Sequence, residues 1–520
     1  PIASRPISWF RGSSGTRRAP RANRQDEALT KSVFDTRDSI RAGELTATAA
    51  AEDALRQVEQ VNPQLDAATE ILREEALAQA AELDRRLESG EDPGPLAGVP
   101  FTVKSNICTL YGRTSAASRI IENHVSPYEA TAVRRLREAG AVCVAKTNLD
   151  EFGMGSSTEN SSIKITKNPW KTTHVPGGSS GGAAALCSAT RGMLHLGSDT
   201  GGSIRQPAAY CGVTGLKPTY GRVSRYGLLA FASSLDQIGP LQHSALECAL
   251  VLEAMAGVDE MDCTSRNVEV KDYVESASRD ISGMRLGIAP ELFPEGVGSE
   301  VRERVEQAIE VLRGLGAEVK EVSLPSARYA NPAYVLVSAA EASSNLARYD
   351  GVHFGHRTKE AEDLIALYKS SRAEGFGPEV KRRIMIGAFV LSSGYYDDFY
   401  LKALKVRKLI RQDFETALGE VDAVVCPTSP ITAFPIGERM DDPMKLYAVD
   451  VLTVPANLAS LPALSLPCGL SGDGLPIGMQ LYGRAMEDDV VLRIANAFQS
   501  ETEHHLQAPA VNAWGGGGEA

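Results

Sequence analysis

The feature that most constrains the fold of this chain is a repeated unit, in which an amphipathic helical segment ends at a glycine and a short apolar run follows at once. One unit lies at 132–145, and two more lie at 301–319 and 409–426. A further apolar run at 99–103 has the length of a buried strand and ends at Lys104. Helices that alternate with short apolar strands are typical of α/β proteins. The sequence therefore predicts a central sheet covered by helices.

Composition narrows the class of protein. A chain of 520 residues, 43% of them hydrophobic, can build one large domain or two unequal ones. The net charge of −12 argues against a protein that coats nucleic acid, which would carry a basic face. No apolar run reaches the roughly 18 residues needed to cross a bilayer, so we expect a soluble protein.

The eight cysteines are scattered and form no CxxC pair. Most lie in apolar surroundings, which predicts buried free thiols in a reducing compartment. Neither cysteines nor histidines cluster with ligand spacing, so no metal site is predicted. The cysteines are Cys108, Cys143, Cys187, Cys211, Cys248, Cys263, Cys426 and Cys468.

The two ends of the chain differ from its middle. Residues 1–25 contain six arginines and several serines but no acidic residue, which is typical of an organelle transit peptide; a disordered basic tail is the alternative. Residues 26–505 are predicted to form the folded domain, and 506–520 a flexible tail. Within the domain, helix-like periodicity dominates 26–90, and the more charged, helical segment 262–430 is predicted to be a lobe inserted in the same sheet.

Glycine, serine and threonine crowd together between 177 and 220. The block 177–182 is GGSSGG, and the block 197–203 is GSDTGGS. Glycines allow the backbone to approach a ligand closely. A serine near the start of a helix, beside forward-pointing backbone N–H groups, is the layout of a nucleophile with an oxyanion hole. We therefore assign Ser203 as the candidate nucleophile, with N–H donors from Thr200, Gly201, Gly202 and Ser203.

Each block also has an alternative interpretation. GGSSGG is compatible with a flexible turn, and GSDTGGS is compatible with a phosphate-binding loop. No Gly-Lys-Ser/Thr follows either block, which excludes a Walker loop.

A serine nucleophile needs a base, and histidine is the usual one. None of the eight histidines lies in a glycine block, and His195 falls in an apolar run that is typical of a core histidine. Lys104 is the other candidate. A lysine at a strand end is often a surface residue, but the apolar run before it favours burial, which lowers the pKa of a lysine towards neutrality. A neutral lysine can act as a general base.

Lys104, the GGSSGG block and the block ending in Ser203 together resemble the amidase signature family, and the resemblance runs from about 27 to 505. It is closest to the branch formed by the A subunits of glutamyl-tRNA(Gln) amidotransferases. The most specific stretches are 146–160, 197–240 and 341–351, and generic amidases lack the last of these. The resemblance implies a mixed, twisted sheet covered on both faces by helices.

The resemblance also implies residue roles. Ser203 would be the nucleophile, Lys104 the base, and Ser179 a bridging serine held by a cis peptide bond; they are separated by the family's usual 75 and 24 residues. Arg383 would bind the α-carboxylate of glutamine and Asp450 its α-ammonium group, with Tyr334 lining the pocket. From the sequence alone these last three residues would be solvated or structural.

The activity implied by the resemblance is hydrolysis of glutamine to supply ammonia. A partner B subunit would use ATP and magnesium to convert Glu-tRNA(Gln) to Gln-tRNA(Gln) and would make most of the tRNA contacts, a C subunit would complete the heterotrimer, and this chain would hold no cofactor. The expected location is the mitochondrion, the chloroplast stroma or both. The alternatives are a stand-alone amidase, which Arg383 and Asp450 disfavour, and an inactive scaffold subunit, which the intact Lys104, Ser179 and Ser203 disfavour.

Two positions depart from the pattern of the family. Ser105 follows the lysine where the family usually has aspartate, and Ala183 follows GGSSGG where serine is common. Neither replaces a catalytic group, but the first leaves open how Lys104 is oriented.

Overall fold

The structure is a computed structural model that describes residues 31–510. The predicted transit peptide at 1–25 lies outside the described residues and stays a prediction. Of the predicted flexible tail at 506–520, residues 511–520 also lie outside them, whereas Leu506 belongs to the 3-10 turn His504–Leu506. None of the helices between residues 31 and 510 is long and apolar enough to span a membrane.

Eleven strands form one mixed sheet in the order β1-β3-β2-β4-β6-β5-β10-β11-β9-β7-β8. Three strands near one edge, β3, β2 and β4, are parallel to one another, and β9, β7 and β8 are parallel at the other edge. In chain order, β1–β11 are Ala68–Ile71, Pro100–Lys104, Val142–Thr147, Leu194–Asp199, Thr214–Lys217, Gln237–Gln242, Arg285–Ile288, Glu318–Glu321, Ala423–Pro427, Ala463–Leu470 and Pro476–Gly483.

Sixteen α-helices accompany this sheet in the described part of the chain. In chain order, α1–α16 are Val33–Arg41, Ala47–Leu65, Arg73–Glu88, Thr131–Glu138, Gly181–Ala189, Arg205–Cys211, Ala245–Met255, Tyr273–Ala277, Ser299–Gly314, Ala330–Asn345, Leu364–Gly375, Pro378–Val390, Lys402–Glu420, Pro443–Tyr447, Val454–Ala459 and Asp488–Glu501.

The alternation of helix, glycine and strand forms as predicted. Helix α4 buries Val133 and Leu136 and ends before Gly140, whose φ of +95° a residue with a side chain rarely adopts. Strand β3 follows at once, and its side chains alternate between the two faces of the sheet. Cys143 joins the main hydrophobic core, whereas Val144 joins a second core beneath α2 and α3. Helices therefore cover both faces, and the predicted α/β class with a mixed sheet is confirmed.

Two local predictions need correction. The helical periodicity of 26–90 hides strand β1, which pairs antiparallel with β3 at the edge of the sheet; four residues are too few to interrupt a helical pattern visibly. Cys263 is exposed, whereas the other seven cysteines are buried as predicted. The segment 262–430 is mostly helical but also supplies β7, β8 and β9 to the far edge of the sheet.

Candidate active site

The candidate catalytic residues meet where two parallel strands end. Strands β2 and β4 are neighbours, with Val103 paired to Leu196. Because the carboxyl ends of neighbouring parallel strands lie at the same edge of a sheet, Lys104 lies beside Ser198 and the loop that follows β4.

Lys104 is fully buried and surrounded by serine oxygens. Its Nζ lies 2.7 Å from Oγ of Ser179, 2.8 Å from Oγ of Ser180 and 3.0 Å from Oγ of Ser198. Burial lowers the pKa of Lys104 to about 7, against the opposing charges of nearby aspartates. A lysine with this pKa is largely uncharged at slightly alkaline pH, which allows it to accept a proton.

Ser179 is held at the start of α5 by tight backbone packing. The peptide bond between Gly178 and Ser179 is cis, as the family resemblance implies. A side chain at Gly178 would overlap the carboxylate of Asp150, so only glycine fits there. The backbone N–H of Asp150 donates to the carbonyl of Ser179, at 3.3 Å, and this bond fixes the segment from its other side.

The loop after β4 is shaped by Asp199. Its carboxylate accepts hydrogen bonds from the backbone N–H groups of Gly202 and Ile204, at 2.9 and 3.1 Å, and forms a two-bond ion pair with Arg205. The amide of Gly202 is thus directed at Asp199, and its assignment as an oxyanion donor is corrected. The amides of Thr200, Gly201 and Ser203 donate to no group within residues 31–510, so they are available.

Ser203 itself lies directly beside the GGSSGG segment. Its carbonyl accepts the backbone N–H of Ser180 at 3.1 Å, which joins the two glycine-rich loops. Its side-chain hydroxyl makes no hydrogen bond to any described residue, and the residue is 7% exposed. Ser203 therefore presents an unengaged hydroxyl in the loop of free amides, where that loop adjoins the GGSSGG segment.

The three predicted pocket residues come together over this loop. The ring of Tyr334, from α10, lies so close to Gly201 that a Cβ there would be 2.5 Å from it. The hydroxyl of Thr453 donates to the carbonyls of both Gly201 and Asp450, at 2.7 and 3.0 Å, and so holds Asp450 next to the loop. The charges of both Arg383 and Asp450 act on the phenol of Tyr334. A charged pocket thus adjoins Ser203.

Arg383 and Asp450 each carry a buried polar atom without a partner. Nη1 of Arg383 and Oδ1 of Asp450 make no hydrogen bond in the described part of the chain. The other oxygen of Asp450 accepts from Ser156, and burial raises the pKa of Asp450 to about 7. Because buried polar groups are almost always paired in folded proteins, the two free atoms indicate a ligand that supplies one anionic and one cationic group.

The guanidinium of Arg383 is fixed by residues that sequence reasoning missed. Its Nε donates to Glu379, at 2.7 Å. The rings of Phe231 and Tyr447 lie 5.5 and 4.7 Å from its central carbon. The spacing Glu-x-x-x-Arg could have revealed the first contact, but exposed ion pairs share that spacing.

The departure at Ser105 does not disturb the lysine. The hydroxyl of Ser105 lies 2.8 Å from that of Thr69 and forms no bond to Lys104. Orientation of the lysine comes instead from Ser180 and Ser198, the latter held by Asn106 at 3.0 Å. His195 is a core histidine as predicted; burial lowers its pKa to about 3.

The candidate site lies on a large mixed sheet and combines a buried lysine, serine hydroxyls and a glycine-rich loop with unpaired amides. This combination is typical of one class of enzyme, the serine hydrolases that use a lysine in place of a histidine. Residues 49–492 match the family model described as Amidase. The chain belongs to the amidase signature family.

Similar proteins include A subunits of glutamyl-tRNA(Gln) amidotransferases and a peptide amidase. The A subunit of the glutamyl-tRNA(Gln) amidotransferase of Synechococcus elongatus is 53% identical over 468 residues, which are 90% of this chain and 97% of the relative. The crystal structure of the corresponding protein from Thermotoga maritima has a TM-score of 0.74 and 40% identity, covering 93% of this chain and 96% of that one. The peptide amidase of Stenotrophomonas maltophilia has a TM-score of 0.76 and 31% identity, covering 91% and 97%.

Proposed function

We propose that this chain is the glutamine-hydrolysing subunit of a glutamyl-tRNA(Gln) amidotransferase. The observation that carries the proposal is the pair of buried, unpartnered atoms, Nη1 of Arg383 and Oδ1 of Asp450, beside the loop of Ser203. Free glutamine carries a carboxylate and an ammonium group on its α-carbon and complements both atoms. The names and high identity of the amidotransferase relatives support the same function.

The hydrogen bonds around Lys104 indicate how the proton moves. The hydroxyl of Ser180 donates to the carbonyl of Ser198, at 3.0 Å, so it accepts from Lys104. Uncharged Nζ has two hydrogens and one lone pair. If the hydrogens serve Ser180 and Ser198, the lone pair faces Ser179, whose hydroxyl has no other partner in the described chain. Ser179 is thus the group that gives its proton to Lys104.

The proposed reaction follows from this arrangement. Ser179 passes its proton to Lys104 and takes the proton of Ser203, whose oxygen attacks the side-chain amide carbon of glutamine. The free amides of Thr200, Gly201 and Ser203 stabilise the oxyanion. The C–N bond breaks, the leaving nitrogen takes a proton back through Ser179, and ammonia departs. Water then hydrolyses the acyl-enzyme to release glutamate.

The partners and location also belong to the proposal. Ammonia would pass to a B subunit that binds ATP, magnesium and most of the tRNA, with a C subunit completing a heterotrimer. This chain would hold no cofactor of its own. The arginine-rich, acid-free composition of 1–25 supports import into the mitochondrion, the chloroplast stroma or both.

Substrate discrimination tests the function. Wild-type enzyme should hydrolyse glutamine far better than 4-aminobutanamide, which is glutamine without its α-carboxylate. Arg383→Ala should raise the KM for glutamine roughly 10- to 150-fold, because a lost charge-assisted hydrogen bond is worth about 1.5–3 kcal/mol. The variant should discriminate less between the two amides, as steady-state ammonia release will show.

Two controls complete this test. Ser203→Ala should abolish glutamine hydrolysis, while the assembled complex keeps its ammonia-dependent transamidation. Arg383→Ala should also keep that second reaction. If the wild type hydrolyses simple aliphatic amides as well as glutamine, and Arg383→Ala changes neither rate, the chain is a general amidase.

A further inference from the structure

We propose that Glu379 is a positioning residue for substrate recognition: it holds the guanidinium of Arg383 in the orientation that binds the α-carboxylate. The inference rests on the proposed function, since it concerns the same pocket. Glu379 itself does not touch the substrate and acts through Arg383.

The contacts of Glu379 converge on the guanidinium and its stacking partner. Glu379 lies one turn before Arg383 on α12, and both side chains are only 5% exposed. Its Oε1 accepts from Nε of Arg383, at 2.7 Å, and from the hydroxyl of Tyr447, at 2.6 Å. Its Oε2 accepts from Arg382. One carboxylate therefore fixes both the cation and the ring that packs on it.

Glu379 restricts the orientation of the guanidinium together with the aromatic residues around it, Phe231, Tyr447 and Tyr334. The rings of Phe231 and Tyr447 flank the guanidinium and confine its plane. Aromatic faces do not fix rotation within that plane, because they lack directional acceptors. The hydrogen bond from Nε sets this rotation and leaves Nη1 free for a substrate.

The charge of Glu379 matters as well as its geometry. Although burial opposes the charged form, the carboxylate of Glu379 raises the pKa of Arg383 above its ordinary value. A buried cation without its partner would seek another carboxylate. Asp450 in the same pocket is such a carboxylate, because its Oδ1 has no partner in the described chain and the charge of Arg383 acts on it.

The test compares Glu379→Gln and Glu379→Ala with wild type in glutamine hydrolysis. Glu379→Gln keeps the size and one acceptor but loses the charge, so the KM for glutamine should rise about 5- to 20-fold with kcat changed less than about threefold. Glu379→Ala should raise the KM further, because it removes the remaining acceptor of Nε as well and leaves the guanidinium free to turn towards Asp450. The kcat/KM for 4-aminobutanamide, which lacks the α-carboxylate, should stay within about twofold of wild type in Glu379→Gln.

A double-mutant cycle separates positioning from general stability. In the Arg383→Ala background, adding Glu379→Gln should change the KM by less than about twofold, because the residue through which Glu379 acts is gone. Glu415→Gln is the matched control. It removes the charge from another helical ion pair, Arg411 to Glu415, with the same 2.7 Å bond from Nε to Oε1 but exposed to solvent, and should leave the KM unchanged.

The outcomes distinguish this inference from the proposed function. Wild-type enzyme that does not prefer glutamine over 4-aminobutanamide would remove the proposed function and this inference with it. Wild-type preference combined with an unchanged KM in Glu379→Gln would overturn the positioning role alone. A fall in kcat/KM by the same factor for both amides, or an additive effect in the Arg383→Ala background, would also overturn it, because either result indicates a general structural effect.

Discussion

Burial gives Lys104 and Asp450 unusual protonation behaviour for the same physical reason. Removal from water disfavours the charged form of each group, so the pKa of the lysine falls to about 7 and that of the carboxyl rises to about 7. The two shifts have opposite signs but meet in the same range. Catalysis needs Lys104 uncharged and binding needs Asp450 charged, and both forms appear as pH rises.

The dependence of kcat/KM on pH can separate the two residues. Below pH 7, log kcat/KM for glutamine should rise with a slope approaching about two, because the free enzyme must lose one proton from each group. With 4-carbamoylbutanoate, which lacks the α-ammonium group, kcat/KM depends only on the deprotonation of Lys104, so the slope should be about one. Initial rates between pH 5.5 and 8.5, about the range where both groups titrate, will show this. Equal slopes for both substrates would contradict the role of Asp450, and Asp450→Asn should reduce the glutamine slope to that of the control substrate.

At the scale of the element, the loop between β4 and α6 depends on one buried carboxylate. Asp199 and Arg205 are both fully buried, and Asn457 adds a hydrogen bond to Asp199 at 2.8 Å. Burial acts to raise the pKa of Asp199, but the charge of Arg205 holds it down to about 2. The carboxylate therefore stays charged and keeps the loop amides in place.

Asp199→Ala should destabilise the protein by about 3–5 kcal/mol, because it leaves Arg205 buried without a counter-charge. Urea denaturation followed by circular dichroism will measure the change. The control is Glu138→Ala, which breaks the exposed pair of Arg134 and Glu138 and should cost less than about 1 kcal/mol. A loss for Asp199→Ala no larger than that of the control would show that the loop does not need this ion pair.

The same elements show what sequence can and cannot predict. Lys104 could be singled out because it ends a short apolar run, and Ser203 because glycines cluster beside it; both patterns are local. The pocket residues Tyr334, Arg383 and Asp450 lie on three separate elements with no local pattern, and only the family resemblance identified them. In the sequence, Glu379 and Arg383 look like an ordinary exposed ion pair on a helix. Their burial could not be predicted, because it depends on how α12 packs against the rest of the fold.

At the scale of the whole molecule, the proposed location rests on the composition of residues 1–25, which precede the folded domain. A fluorescent reporter carrying residues 1–25 behind an initiator methionine should enter a mitochondrion or chloroplast, because arginine-rich, acid-free segments are typical import signals. The control replaces the six arginines with serine and should stay in the cytosol. Diffuse fluorescence from the unmodified fusion would refute the targeting proposal.

The pocket has two walls from distant parts of the chain. The hydrolytic wall comes from Lys104, Ser179 and the loop of Ser203, whereas the recognising wall comes from α10, α12 and the turn at Asp450. The residues of the recognising wall can therefore change while the hydrolytic wall stays the same. The same hydrolytic residues can in this way serve enzymes that act on different amide substrates. For protein engineers, α12 is the segment to graft when a new amide is wanted.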